Sequence, residues 1–105
     1  MDLSALMQQA REMQEKMATV QQELAATTVV GQAGGGMVSV VATGKGEIVS
    51  VAIDDVVLSE PDKSMLQDLI AAATNDALRK AGELGKEKMG ALTGGIQIPG
   101  LTNLS

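Results

Sequence analysis

The sequence of 105 residues predicts an α+β fold, with two long helices flanking a small antiparallel sheet. Three observations support this. Residues 2–26 lack Gly and Pro and carry apolar side chains at helical spacing. Residues 37–53 form two Val/Ile-rich stretches around a glycine turn, and residues 61–89 return to helical spacing. The length suits a single domain.

The first helix is predicted over residues 2–26, and its apolar side chains recur at alternating intervals of three and four residues. This is an unbroken heptad pattern, which is typical of a helix-packing seam. The seam could pack on the protein's own sheet or second helix, or it could meet another chain. We expect a mixed role, with the inner part on the sheet and the rest in a dimer contact. Glu12 and Lys16 are spaced for a supporting ion pair. The seam comprises Leu3, Leu6, Ala10, Met13, Met17, Val20 and Leu24.

The middle of the chain predicts strands. Residues 27–30 are β-branched and short, and Gly31 with the glycines at 34–36 is expected to break the chain. Residues 37–43 and 47–53 predict a hairpin around Gly44 and Gly46. Its second face is small and fairly apolar, so a helix or another subunit should cover it. The three glycines predict a turn, since no strand-to-helix phosphate loop surrounds them.

The second helix is predicted over residues 61–89, with Ser59 as its N-cap and Asp62 three residues later. Gly82 and Gly85 should each weaken it by roughly 1 kcal/mol relative to Ala. Asp54 and Asp55 are expected to end a strand, rather than to hold a metal. We therefore predict one domain over residues 1–90 and a Gly-rich, flexible tail over residues 91–105.

The composition excludes most catalytic chemistry. The chain has no Cys, His, Phe, Tyr or Trp. Thiolate or Ser-His-Asp catalysis and Cys/His zinc sites are thereby excluded, although a carboxylate site for Mg²⁺ or Ca²⁺ stays open. Aromatic stacking on single-stranded bases is disfavoured too. A core without aromatic rings is thin for this length, which favours oligomerisation.

The charge distribution leaves two interpretations open. The chain carries 13 acids and 8 bases, for a net charge of −5. Four of the bases lie within residues 79–88 beside only two acids. This cluster could simply suit a helix C-terminus, or it could bind an anion. The chain shows no leader segment and no stretch long enough to span a membrane, which predicts a cytoplasmic protein.

Several segments together resemble a known family. They are MQEKM at residues 13–17, GGMV at 35–38, VAID at 51–54, DKSMLQDLIAAATNDALRK at 62–80 and KEKM at 86–89. In order, spacing and total length they are similar to the YbaB/EbfC family of bacterial nucleoid-associated proteins. The resemblance covers nearly the whole chain.

The resemblance implies an α-β-β-β-α protomer that forms a tweezer-like homodimer. It implies binding of duplex DNA through phosphate contacts, with effects on DNA conformation, nucleoid organisation and gene expression. It implies no catalysis. We also expect no cofactor, metal, membrane or small-molecule substrate, and a location in the cytoplasm at the nucleoid. The positions that match the family's basic helix surfaces are Arg11, Lys16, Arg79, Lys80, Lys86 and Lys88.

Two other classes of function are also compatible with the sequence. The apolar, Met-rich stripe and the negative net charge would also suit an acidic adaptor that binds DNA-processing proteins. An enzyme comes third, since it would need a carboxylate-metal site. The net charge requires the few bases of a DNA-binding dimer to be gathered on one surface. Within about 8 Å, the screening length at physiological salt, such a patch outweighs distant acids.

Overall fold

A computed structural model describes residues 2–59 and 62–92 and confirms the α+β fold. A long helix, three strands, a short helix and a second long helix follow one another along the chain. The elements are α1 (Leu3–Ala26), β1 (Thr28–Ala33), β2 (Val38–Thr43), β3 (Ile48–Ile53), α2 (Asp55–Ser59) and α3 (Lys63–Leu92).

The three strands form one antiparallel sheet in the order β1-β2-β3. Val40 of the central strand lies opposite Gly31 of β1 and Val51 of β3. The turn between β1 and β2 uses the three glycines at 34–36, all with positive φ. The predicted hairpin joins β2 to β3, where Gly46 has a φ of 85°. Glycine adopts this backbone conformation without a steric penalty.

Strand β1 corrects one sequence prediction, because Gly31 does not interrupt the strand. It lies within β1, and α3 crosses directly above it. A Cβ atom at this position would stand 2.7 Å from the Ala77 Cα and would also meet the Ala77 backbone nitrogen and the Ala73 carbonyl oxygen. The glycine therefore lets the helix backbone approach the strand.

The core is built from small side chains between the sheet and α3. Val38, Val40 and Ala42 of β2 are buried against Ala73 and Ala77 of α3. Contacts of α3 are mainly with β1 and β2, so the edge strand β3 is left largely exposed. No described helix covers the opposite face of the sheet, where Val30 and Ala52 are exposed. A helix was one of the two covers predicted for that face, and it is absent within residues 2–59 and 62–92.

The start of the second long helix also differs from its prediction. Ser59 ends the short helix α2, which the sequence pattern did not predict, and its hydroxyl donates to the Val56 carbonyl. Asp62 caps α3 instead, since its Oδ1 accepts from the Met65 backbone N–H at 3.0 Å. Helix α3 then continues through Gly82 and Gly85 to Leu92. Residues 93–105 of the predicted tail lie outside the described residues.

Helix α1 buries only the C-terminal end of its heptad seam. Val20 and Leu24 are buried, whereas every described residue before Val20 is exposed. The inner part of the seam therefore packs within the protomer, mainly against α3 and also against β2, and the remainder has no cover in the described chain. Within the described residues, no helix has both the length and the apolar content needed to cross a membrane.

Candidate nucleic-acid interface

The N-terminal part of α1 forms an exposed arm. Glu23 of α1 and Lys88 of α3 form an ion pair at 3.2 Å, which joins the two helices. Leu3 lies 20 residues before Glu23, and at about 1.5 Å per residue the helix extends about 30 Å beyond this ion pair. The arm, residues 3–19, presents all its side chains to solvent.

The six predicted DNA-contact residues divide into two groups in the structure. Arg79, Lys80 and Lys88 form ion pairs within the protomer. Arg11, Lys16 and Lys86 form none with the residues that the structure describes. The expected ion pair between Glu12 and Lys16 therefore does not form.

Asp76 organises the first group. Its carboxylate accepts a hydrogen bond from the Gln32 backbone N–H at 3.0 Å and lies 2.7 Å from an Arg79 guanidinium nitrogen. The Lys80 Nζ lies 3.3 Å from the same carboxylate and donates to the Val30 carbonyl at 2.8 Å. Arg79 also contacts Glu83 at 2.8 Å. This network connects α3 to β1.

The network changes the protonation of its acid. The Gln32 N–H, then Arg79 and Lys80, all stabilise the charged carboxylate and lower the pKa of Asp76 from 3.8 to about 2. Asp76 and Glu83 in turn raise the pKa of Arg79. Both groups therefore stay charged at neutral pH, and the two cations beside Asp76 are largely neutralised.

Replacing Asp76 with Asn should make stability depend less on pH. A carboxylate with a lowered folded-state pKa stabilises the fold above its unfolded pKa, here near 3.8, and this contribution is lost as the pH falls toward about 2. The difference in unfolding free energy between the parent protein and Asp76→Asn should therefore be largest above about pH 5 and shrink by about pH 2. Urea titrations followed by circular dichroism measure it, and a difference that stays constant with pH would contradict this role for Asp76.

The second group is exposed but is not gathered on one face. Arg11 and Lys16 are five residues apart, which places them about 140° apart around the axis of α1, on opposite flanks of the apolar stripe. Lys86 lies near the end of α3, two helical turns after Arg79. Arg11 and Lys16 therefore lie on different faces of α1.

The carboxylates at the strand and helix ends act as caps. Asp54 accepts from the Val56 backbone N–H at 3.0 Å at the start of α2, as Asp62 does for α3. Among residues 2–59 and 62–92, no group of three or more acidic residues could hold a metal ion.

Sequence reasoning missed the Asp76 network. The spacing of Asp76, Arg79, Lys80 and Glu83 at three and four residues does signal local ion pairs on a helix. The hydrogen bond from Gln32 and the one to Val30 cross more than 40 residues, so local spacing could not have indicated them.

Comparison with known proteins decides the family. The sequence profile described as the YbaB/EbfC DNA-binding family matches residues 1–96. The chain belongs to the YbaB/EbfC DNA-binding family. Its predicted membership is thereby confirmed, and the adaptor interpretation is not favoured.

Relatives of this YbaB/EbfC chain include two nucleoid-associated proteins. One, from Desulfotalea psychrophila, is 54% identical over 103 residues, covering 98% of this chain and 97% of the relative. Another, from Syntrophobacter fumaroxidans, is 53% identical over 95 residues, covering 90% of this chain and 86% of the relative. The fold is also similar to the crystal structure of an uncharacterized protein from Helicobacter pylori, with a TM-score of 0.78 and 31% identity. That match covers 89% of this chain and 98% of the other.

Proposed function

We propose that this protein binds duplex DNA as a homodimer and alters DNA conformation, and thereby influences nucleoid organisation and gene expression in the cytoplasm. The observation that carries the proposal is the near full-length similarity to two nucleoid-associated proteins at 53–54% identity. The role needs no catalytic step or cofactor. It places the protein at the nucleoid.

The exposed cations are the first candidates for phosphate contacts. Arg11, Lys16 and Lys86 can each reach a phosphate without breaking an ion pair with another described residue. A phosphate that binds Arg79, Lys80 or Lys88 must instead compete with Asp76, Glu83 or Glu23. Few available cations predict modest affinity and a shallow dependence on salt. Any sequence preference would come from DNA shape, because two-fold symmetry can sense groove spacing.

Strand β3 supports the homodimer. It is the edge strand that α3 leaves uncovered, and it exposes apolar side chains, including Val49 and Val51 at 58% and 46%. An exposed apolar edge strand is a template for pairing with another chain. A second copy that pairs along β3 would cover these side chains and extend the thin core.

Replacing Val51 with Lys should therefore disrupt the homodimer. Val51 is half-exposed in the protomer, so the Lys side chain can reach solvent in a folded monomer, whereas a charge in a paired edge opposes association. The mass measured by light scattering should fall from twice the chain mass of 10.8 kDa toward the single value. Thr28→Lys adds the same charge on the other edge strand, β1, and should leave the dimer intact. Equal masses for the two variants would show that β3 is not part of the dimer interface.

The test of the function itself is direct. Labelled duplex DNA is titrated with the full chain at low and high KCl, and fluorescence anisotropy reports binding. We expect binding that weakens as KCl rises. A protein that fails to bind duplex DNA at low salt lacks the proposed function.

A further inference from the structure

The arm of α1 carries an extended apolar stripe without cover in the described chain. Its exposed members include Leu3 at 69%, Met7 at 52% and Met13 at 43%. The same heptad spacing continues into Val20 and Leu24, which are buried in the protomer. The stripe is therefore one helix-packing seam, and it remains open where α1 extends past α3.

We propose that this arm pairs with the arm of a second copy, as two antiparallel helices. Heptad spacing is the pattern that lets one helix pack along another, because the seam then faces its partner over several turns. A second copy supplies a seam of matching length and spacing. This contact is separate from the β3 contact and does not depend on DNA binding.

The charges of the arm select one antiparallel register. When Leu3 packs beside the partner's Met13, Leu6 packs beside the partner's Ala10 in the next layer. Lys16 flanks the seam, and Asp2 is the N-cap of α1, where its Oδ1 accepts from the Ser4 backbone N–H at 3.0 Å. In this register Lys16 lies beside the partner's Asp2 at each end. Two equivalent ion pairs, one at each end, would then join the two arms.

A parallel pair lacks this complementarity. It would set Lys16 beside the partner's Gln21 and Asp2 beside the partner's Met7, with no ion pair at either end. It would also bring the two sheets together at one end. The antiparallel register uses only residues 2–16, which precede the buried Val20, so the sheets lie at opposite ends.

The size of this contact predicts how the protein associates. Residues 2–16 make about four helical turns, and so short a pair belongs with weak interfaces that bury less than about 1,200 Å². Pairing should therefore increase with protein concentration. If β3 also joins two copies, each dimer carries two arms, and arm pairing would connect dimers into open chains. Arg11 lies outside the seam and stays available for DNA, whereas a paired Lys16 would have to leave the partner's Asp2 to bind a phosphate.

Crosslinking tests the register, because the chain has no native Cys. Gln9 flanks the seam and lies beside the partner's Gln9 in the proposed pair, whereas Gln8 lies on the outer face of α1. A short bismaleimide should give a several-fold larger yield of covalent dimer with Gln9→Cys than with Gln8→Cys, without DNA. Equal yields from the two variants would overturn the proposal.

A second pair of variants tests the seam in the full chain. Ala10 and Ala5 are both exposed, but only Ala10 lies in the seam. Sedimentation velocity over a range of concentrations should show that Ala10→Glu loses the larger species, whereas Ala5→Glu retains them. The DNA-binding proposal survives either result, because neither variant touches a predicted phosphate contact. Identical sedimentation of the two variants would overturn arm pairing, as expected if residues 93–105 cover the stripe instead.

Discussion

Gly31→Ala should be among the most destabilising single-methyl changes in this protein. The added Cβ would meet the backbone of α3 at Ala73 and Ala77, with the Ala77 Cα at 2.7 Å. Backbone atoms cannot rotate away as a side chain can, so α3 would have to move off the sheet. Because α3 and β2 bury the core, the destabilisation should reach about 3 kcal/mol or more, the upper range for overpacking.

Gly82→Ala is the matched control for this change. The same methyl group at Gly82 meets nothing within 4 Å, and the residue lies inside α3. Alanine is favoured over glycine there by roughly 1 kcal/mol, so the variant should be more stable than the parent. Urea unfolding followed by circular dichroism at one protein concentration compares the two. Equal midpoints for Gly31→Ala and the parent protein would contradict the close approach of α3.

Reversing two exposed cations should strongly reduce DNA binding. Arg11→Glu combined with Lys86→Glu removes two proposed phosphate-binding cations from each chain and leaves the Asp76 network intact. We expect the affinity to fall by about tenfold or more at low salt. The slope of log affinity against log salt should become shallower by about 0.9 for each phosphate that the protein no longer neutralises. Anisotropy titrations with labelled duplex DNA at several KCl concentrations give both numbers.

Lys45→Glu combined with Lys63→Glu separates position from net charge. This control changes the net charge of the chain by the same amount. Lys45 lies in the turn between β2 and β3, and Lys63 begins α3, about 35 Å along the helix from Lys86. The control should retain a salt slope near that of the parent. An equal fall in affinity for both double variants would show that net charge, and not the position of these cations, governs binding.

Much of the fold could be predicted because its signals are local. Heptad spacing marked α1, and the glycine turn marked the β2–β3 hairpin. The errors at Gly31 and Ser59 have different causes. Gly31 looked like a break because its partners, Ala73 and Ala77, are more than 40 residues away. Ser59 looked like a cap because the sequence alone did not indicate the short helix α2.

The candidate interface was harder to predict than the fold. The sequence identifies the cations but not the acidic residues with which they form ion pairs. Arg79 and Lys80 looked like part of an anion-binding cluster, yet the structure places them beside Asp76, which also accepts from Gln32 of β1. Which cations are available depends on how α3 lies on β1, and local charge patterns do not encode that arrangement.

The central claim is that an acidic chain binds duplex DNA through a few phosphate contacts. The most direct measurement is the affinity of the unaltered, full-length protein for a labelled duplex over a series of KCl concentrations. The account predicts a linear fall of log affinity with log salt and a shallow slope. No binding at the lowest salt, or an affinity that does not change with salt, would contradict it.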